Sequence, residues 1–329
     1  DTLIYFAALL IFLYGLVSAL ADRSPITAPM VFVSIGVLAG PLGFGLFEVN
    51  IDSHLIEIIA EITLVIILFT DASSIKLKAL EKEYTVPLRL LGIGLPLTMI
   101  SGFALAIPLY PGISWWLLAI MAFILSPTDA ALGQAVVASD TVPEKVRDTI
   151  GVESGLNDGI ALPPIMACIA AFMATAGPEL GSGHWIWFGV RQLTLGPIAG
   201  IAVGLAGGWM IEQAVRRGWM EPVFQRLSSI ALALIAYALA DRIGGNGFIS
   251  AFCAGLFLAA RSKTVRARIQ EFGEAEGQQL SLFVFLMFGM VLVPVAHAYW
   301  NWTALVYALL SLTVIRMGPV ALSLIGTKL

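Results

Sequence analysis

Apolar residues fall along this chain in long stretches separated by short polar loops. A bilayer core takes about 20 apolar residues per helix, and fewer where a helix is short or broken inside the protein. On that rule the pattern predicts an all-α polytopic membrane protein with about eleven transmembrane helices. The expected spans run Leu3 to Ala21, Ile26 to Phe47, Leu55 to Ile75, Val86 to Pro108, Trp115 to Val137, Asp148 to Met173, Gln192 to Glu212, Ser228 to Ile243, Gly247 to Ala260, Ser281 to Tyr299 and Thr303 to Gly326.

Loop charge tests that count independently, because Lys and Arg in short loops stay on the cytoplasmic side. Arg23 follows span one; Lys76, Lys78, Lys82 and Arg89 follow span three; Lys145 and Arg147 follow span five. Arg216, Arg217 and Arg226 follow span seven, Arg261, Lys263, Arg266 and Arg268 follow span nine, and Lys328 follows span eleven. The loops after even-numbered spans hold only Arg191 and Arg242. The alternation predicts an N-terminus outside and a cytoplasmic Lys328.

Composition agrees with the pattern. The 329 residues are 59% hydrophobic and 12% charged, with a mean hydropathy of +0.91, against about 25% charged in an ordinary soluble domain. Such a chain cannot cover itself with polar surface, so its partners are membrane lipids. No basic run interleaved with aromatics suggests nucleic acid. Cys168 and Cys253 lie inside apolar stretches as packing residues, and His54, His184 and His297 stand singly near span ends. Neither set suggests a metal cluster, and no cofactor is expected. The first apolar stretch leads into further spans without a small-residue cleavage site, so it reads as a membrane helix; the chain opens at Asp1 without a Met, and residues are expected before it. Gly36 with Gly40, and Gly200 with Gly204 and Gly208, have the spacing that lets helices approach closely in lipid. Trp115, Trp116, Trp185, Trp187, Trp300 and Trp302 gather at the expected outer ends, as aromatic belts do.

An ionisable residue at the centre of a span costs about 2.5 to 3.5 kcal/mol on insertion scales, so each one is a functional candidate. Five stand out: Asp71, Asp129, Glu153, Asp158 and Arg316. Four acids and one base cannot all pair. In span five, Ser126-Pro127-Thr128-Asp129 places a proline deep in the membrane. Pro127 lacks an N–H, so carbonyls near residues 123 to 126 lose their helical partners and join Thr128 and Asp129 as oxygen ligands. The plainer alternative is a proline kink with an aspartate capping the second half-helix. In span six, Glu153-Ser154-Gly155-Leu156-Asn157-Asp158-Gly159 puts Glu153 beside Asn157 and Ser154 beside Asp158, each pair four residues apart. A purely structural hydrogen-bond network is the plainer alternative there.

These two motifs resemble those of the monovalent cation:proton antiporter-1 family, in particular the bacterial NhaP-type sodium/proton exchangers. Leu68-Phe69-Thr70-Asp71, the stretch Phe283 to Gly289 and Arg316 add to the likeness, which covers nearly the whole chain. The resemblance implies an inverted-repeat antiporter fold with broken helices, no enzymatic activity, and a homodimer in the bacterial inner membrane that serves pH homeostasis. It implies panel helices over residues 1–83, core helices over 84–175, linker and panel helices over 176–299, and the start of a second core half over 300–329. Asp158 is implied as the carrier of sodium and proton, with Asp129, Ser154, Thr128 and Asn157 around it. Arg316 is implied to pair with Glu153, or failing that with Asp129. Asp71 is a possible third ligand or entry-funnel acid. The family has about thirteen spans, so the chain is expected to be truncated before the broken helix that crosses span five.

A proton and a monovalent cation both neutralise one buried carboxylate, so they compete for it and exchange follows. Asn157 stands where electrogenic relatives carry a second Asp, and one carboxylate changing hands predicts one cation per proton. The alternatives are a potassium/proton antiporter of the same fold, an ion channel, and an intramembrane aspartyl protease. The last is opposed by the contexts Pro-Thr-Asp and Leu-Asn-Asp, which lack the Gly-x-Gly-Asp and Tyr-Asp of such enzymes.

Overall fold

The computed structural model describes residues 2–21, 26–47, 54–74, 85–128, 142–176, 181–261 and 276–327. Among them lie eleven helices and no strand. They are α1 (Thr2–Ala21), α2 (Ala28–Ala39), α3 (His54–Ser74), α4 (Thr85–Leu109), α5 (Trp115–Ile124) and α6 (Glu144–Ala176). Then come α7 (Gly181–Arg216), α8 (Pro222–Arg242), α9 (Gly247–Arg261), α10 (Glu276–His297) and α11 (Trp302–Leu324). Six of these contain a stretch long and apolar enough to cross a membrane: α4, α6, α7, α8, α10 and α11. Each expected span meets one helix. The chain is an integral membrane protein: large apolar side chains such as Leu312, Met317 and Leu322 of α11 point outward, an arrangement that lipid accepts and water does not.

Boundaries differ where the apolar rule is blind. The helix α6 starts at Glu144 and α7 runs from Gly181 to Arg216, beyond the apolar windows, because a helix continues into water without changing its hydrogen bonds. The helix α5 ends at Ile124, three residues before Pro127; residues 129–137 of the expected span lie outside the described residues.

The chain forms two compact units, Asp1–Ile67 with Glu271–Asn301, and Leu68–Gln270 with Trp302–Leu329. In the first, α2 and α10 meet backbone to backbone. A Cβ at Gly36 would overlap the Leu286 carbonyl, and one at Gly289 the Val33 carbonyl. Fully buried Phe32 and Leu286 lie in the same seam, with Tyr14 edge-on to Phe32 at 5.6 Å between ring centres. In lipid this burial gains little hydrophobic free energy, so close packing holds the pair.

In the second unit, α7 and α9 share a longer seam of the same kind: Gly196 faces the Asn246 carbonyl, Gly200 that of Ser250, and Gly204 that of Ala254. The turn into α9 uses Gly244 at φ +81°, a conformation that side chains disfavour. Its carbonyl neighbour Ile243 accepts a bond from Arg191 Nη2 at 2.8 Å. Elsewhere α4 and α11 run antiparallel. Arg89 Nη1 donates to the Ile325 carbonyl at 2.8 Å, Tyr307 Oη to the Gly102 carbonyl at 3.2 Å, and Ser101 Oγ to the Ile315 carbonyl at 3.4 Å. The start of α4 thus lies beside the end of α11.

Among the described residues three helices contain a widened π-turn: Leu90–Gly94 in α4, Phe288–Leu292 in α10 and Ser311–Ile315 in α11. Each precedes a proline, Pro96, Pro294 or Pro319, whose missing N–H releases the carbonyl four residues earlier. For Pro319 that carbonyl belongs to Ile315, the acceptor for Ser101.

Candidate functional site

The end of α5 is the starting point. Ser126 Oγ donates to the Ala122 carbonyl at 2.7 Å, and residues 125–128 leave the helical path. Off the helical path these backbone carbonyls have no helical N–H to accept from, so they need donors from elsewhere. Two side chains supply them. Arg316 Nη1 donates to the Ser126 carbonyl, and Asn157 Nδ2 donates to the Thr128 carbonyl at 3.1 Å. The Arg316 guanidinium follows directly on the π-turn of α11, and Asn157 is fully buried on α6.

Around these bonds three side chains close on the Thr128 hydroxyl. Thr128 Oγ1 donates to Glu153 Oε2 at 2.9 Å and accepts from Asn157 Nδ2 at 2.5 Å and from Arg316 Nη2 at 3.3 Å. Arg316 Nη2 also lies 2.8 Å from Glu153 Oε1. A hydroxyl has one donor and two lone pairs. Thr128, expected among the cation ligands, therefore has its hydrogen-bonding capacity used in tying α5, α6 and α11 together. The Ser126 carbonyl, one of those near residues 123 to 126 expected to face a cation, is likewise taken by a side chain, as is the Thr128 carbonyl.

Electrostatically, Glu153 and Arg316 neutralise each other, with little of either side chain exposed, 11% and 19%. Breaking such a pair from one side costs about 3 to 5 kcal/mol. The Asn157 carboxamide is oriented by Thr128, whose carbonyl can only accept. Its Oδ1 is buried and has no hydrogen-bond partner among the described residues.

The remaining expected residues fall as follows. Ser154 is buried and Asp158 half-buried on α6, and Asp158 lies about 100° round the helix from Asn157. Asp71 is half-buried in the last turn of α3. Asp129 lies outside the described residues. The structure thus brings Thr128, Glu153, Asn157 and Arg316 together, and adds the Ser126 backbone, whose pairing with Arg316 sequence reasoning did not single out. Pro127 marks the break, but the carbonyl it releases is that of Phe123, which the Ser126 N–H takes at 3.3 Å, so nothing local points to the Ser126 carbonyl or to its donor.

Residues 8–329 match the family model described as sodium/hydrogen exchanger, transmembrane. The K(+)/H(+) antiporter NhaP2 of Shewanella oneidensis is 26% identical over 289 residues, 87% of this chain and 49% of that protein. The K(+)/H(+) antiporter NhaP of Alkalimonas amylolytica is 26% identical over 289 residues, covering 86% of this chain and 48% of its own length. The chain thus spans about half the length of the curated relatives it matches. Among solved structures, the sodium proton antiporter MjNhaP1 of Methanocaldococcus jannaschii superposes with a TM-score of 0.76 at 20% identity, covering 100% of this chain and 79% of that one. That likeness is one of fold.

Proposed function

Because the chain belongs to the sodium/hydrogen exchanger family, we propose that it works as a secondary antiporter, exchanging a monovalent cation for protons through Asp158. Family and fold are those of a transporter. The observation that carries the reading is the closed arrangement of Glu153, Arg316 and Thr128. It commits one acid of the span-six motif to a fixed, neutral pair, which supports Asp158, on a different strip of the same helix, as the acid for which proton and cation compete. Asp129 and Ser154 supply further oxygens to the cation. Thr128 and Asn157 act one step back, holding the broken end of α5 against α6. Asp71 serves as an accessory acid.

The empty, charged site crosses poorly, since uncompensated charge in hydrocarbon is expensive. The protonated or cation-loaded site is the one that moves, which makes exchange obligatory. Asn157 is a neutral amide spent on Thr128, so one carboxylate changes hands and the cycle moves no net charge. Sodium is the primary reading for the cation. Potassium is the second, favoured by the potassium antiporter names of the two curated relatives. The protein is read as a homodimer in a bacterial inner membrane, with its N-terminus outside and Lys328 inside.

Vesicles holding the protein at its full natural length test the reading. Proton flux should follow an imposed sodium gradient and, with the potential clamped by potassium and valinomycin, should keep its rate when the potential is reversed. A charge-moving cycle gains or loses about 2.3 kcal/mol per charge per 100 mV, so a several-fold voltage effect contradicts the single-carboxylate cycle. Absence of any cation-driven proton flux contradicts antiport itself.

A further inference from the structure

Gly159 follows Asp158 on α6, is buried, and has its Cβ space filled by the ring of Phe252. A methyl group there would overlap three ring carbons. Phe252 lies on α9, 7% exposed, in a cluster with Leu68 and Ala72 of the end of α3, and Leu156 of α6 packs against the same cluster. Leu156 and Gly159 are three residues apart, hence neighbours on one face of α6. The helix thus presents an apolar, partly side-chain-free face to α9 directly beside the strip that carries Asp158.

The other contacts of α9 are of a different kind. Gly200 and Gly204 of α7 press on the Ser250 and Ala254 carbonyls, and Gly255 of α9 presses on the Phe69 carbonyl of α3. Such backbone contacts cannot slide without the helices parting, because packed interiors deform little. Toward α6, by contrast, α9 lays the ring of Phe252 on a glycine, which has no Cβ to interlock. A ring can leave a glycine by sliding or turning. A hydrated cation, however, cannot pass Leu68, Ala72, Leu156 and Phe252 while they are closed, since apolar constrictions exclude water and ion together.

We propose that Phe252 seated on Gly159 is an apolar gate that closes the α9 side of the ion site, and that it opens when α6 moves past α9. The proposal rests on the antiport reading above and adds to it the residue that keeps cation and proton movement coupled. Phe252 is a gating residue and touches no transported ion in the closed arrangement.

The test is the number of cations moved per proton moved, measured in vesicles at an imposed cation gradient for wild type, Phe252→Ala, Phe252→Leu and Gly159→Ala. Phe252→Ala removes the ring, and Gly159→Ala forces it off its seat while leaving position 252 intact. Cation should then leak without proton return, raising the ratio several-fold in either variant that purifies as a monodisperse protein, whereas Phe252→Leu, which refills the apolar space, should keep the wild-type ratio. A wild-type ratio in the folded Phe252→Ala or Gly159→Ala protein, at whatever speed, overturns the gate and leaves Phe252 a packing residue. Failure of the antiport reading shows separately, as a wild-type protein that moves no protons with its cation.

Discussion

The seam between α7 and α9 and the knot around Thr128 both bring one element against the backbone of another, by opposite means. In the seam the side chains are absent: Gly196, Gly200 and Gly204 let the Asn246, Ser250 and Ala254 carbonyls approach without a donor being required. In the knot the backbone has lost its own partners, and Arg316 and Asn157 replace them. The difference teaches which substitutions each region feels. The seam responds to volume and is indifferent to polarity, while the knot responds to polarity and to charge balance far more than to a methyl group.

The sharpest way to break that contrast is Arg316→Met. It keeps the length of the side chain but leaves Glu153 uncompensated and the Ser126 carbonyl orphaned, so unfolding in detergent should show a loss of about 3 to 5 kcal/mol. The double variant Glu153→Leu with Arg316→Met should lose less than Arg316→Met alone. If it loses more, the pair is not an electrostatic unit. Next in size is Gly200→Ala, which drives a methyl into the Ser250 carbonyl and should cost about 1 to 3 kcal/mol by overpacking. Gly200→Ser should cost the same, and a markedly milder serine would show that polarity matters in the seam after all. Smallest is the pair at Thr128. The valine variant removes the hydroxyl and leaves its partners short of a bond, at about 1 to 3 kcal/mol, whereas the serine variant keeps all three bonds and should lose less than about 1 kcal/mol. Equal melting curves for the two variants would remove the hydroxyl from the account.

The contrast also marks how far the fold and site were legible in the amino-acid order. Among the described residues each of the eleven apolar stretches meets a helix, because a bilayer forces the backbone of every crossing segment to satisfy itself, and that requirement acts on each stretch separately. The glycine spacing read as close packing for the same reason, although the partners of Gly36 and Gly200, α10 and α9, are set by topology. Ser126 to Asp129 and Glu153 to Asp158 stood out because polar groups are rare at such depth. What was not legible depends on distance in sequence. The Ser126 carbonyl is held by a guanidinium 190 residues away, the Thr128 hydroxyl turned out to be a three-way junction, and Phe252 sits on Gly159 although each looks like ordinary apolar filling. The three π-turns had a local cause, the prolines that follow them, but the carbonyl a proline releases can be taken by a widened turn or by a neighbour such as Ser101, and only packing decides between them.

One substitution bears on the central claim more directly than the rest. Asp158→Asn keeps the size and shape of the side chain and removes its charge and its exchangeable proton. Reconstituted beside wild type at full natural length and matched for folded, inserted protein, it should reduce cation-driven proton flux to the level of protein-free vesicles. A variant that still exchanges cation for protons at a rate comparable to wild type would mean that Asp158 is not the carboxylate for which the two compete.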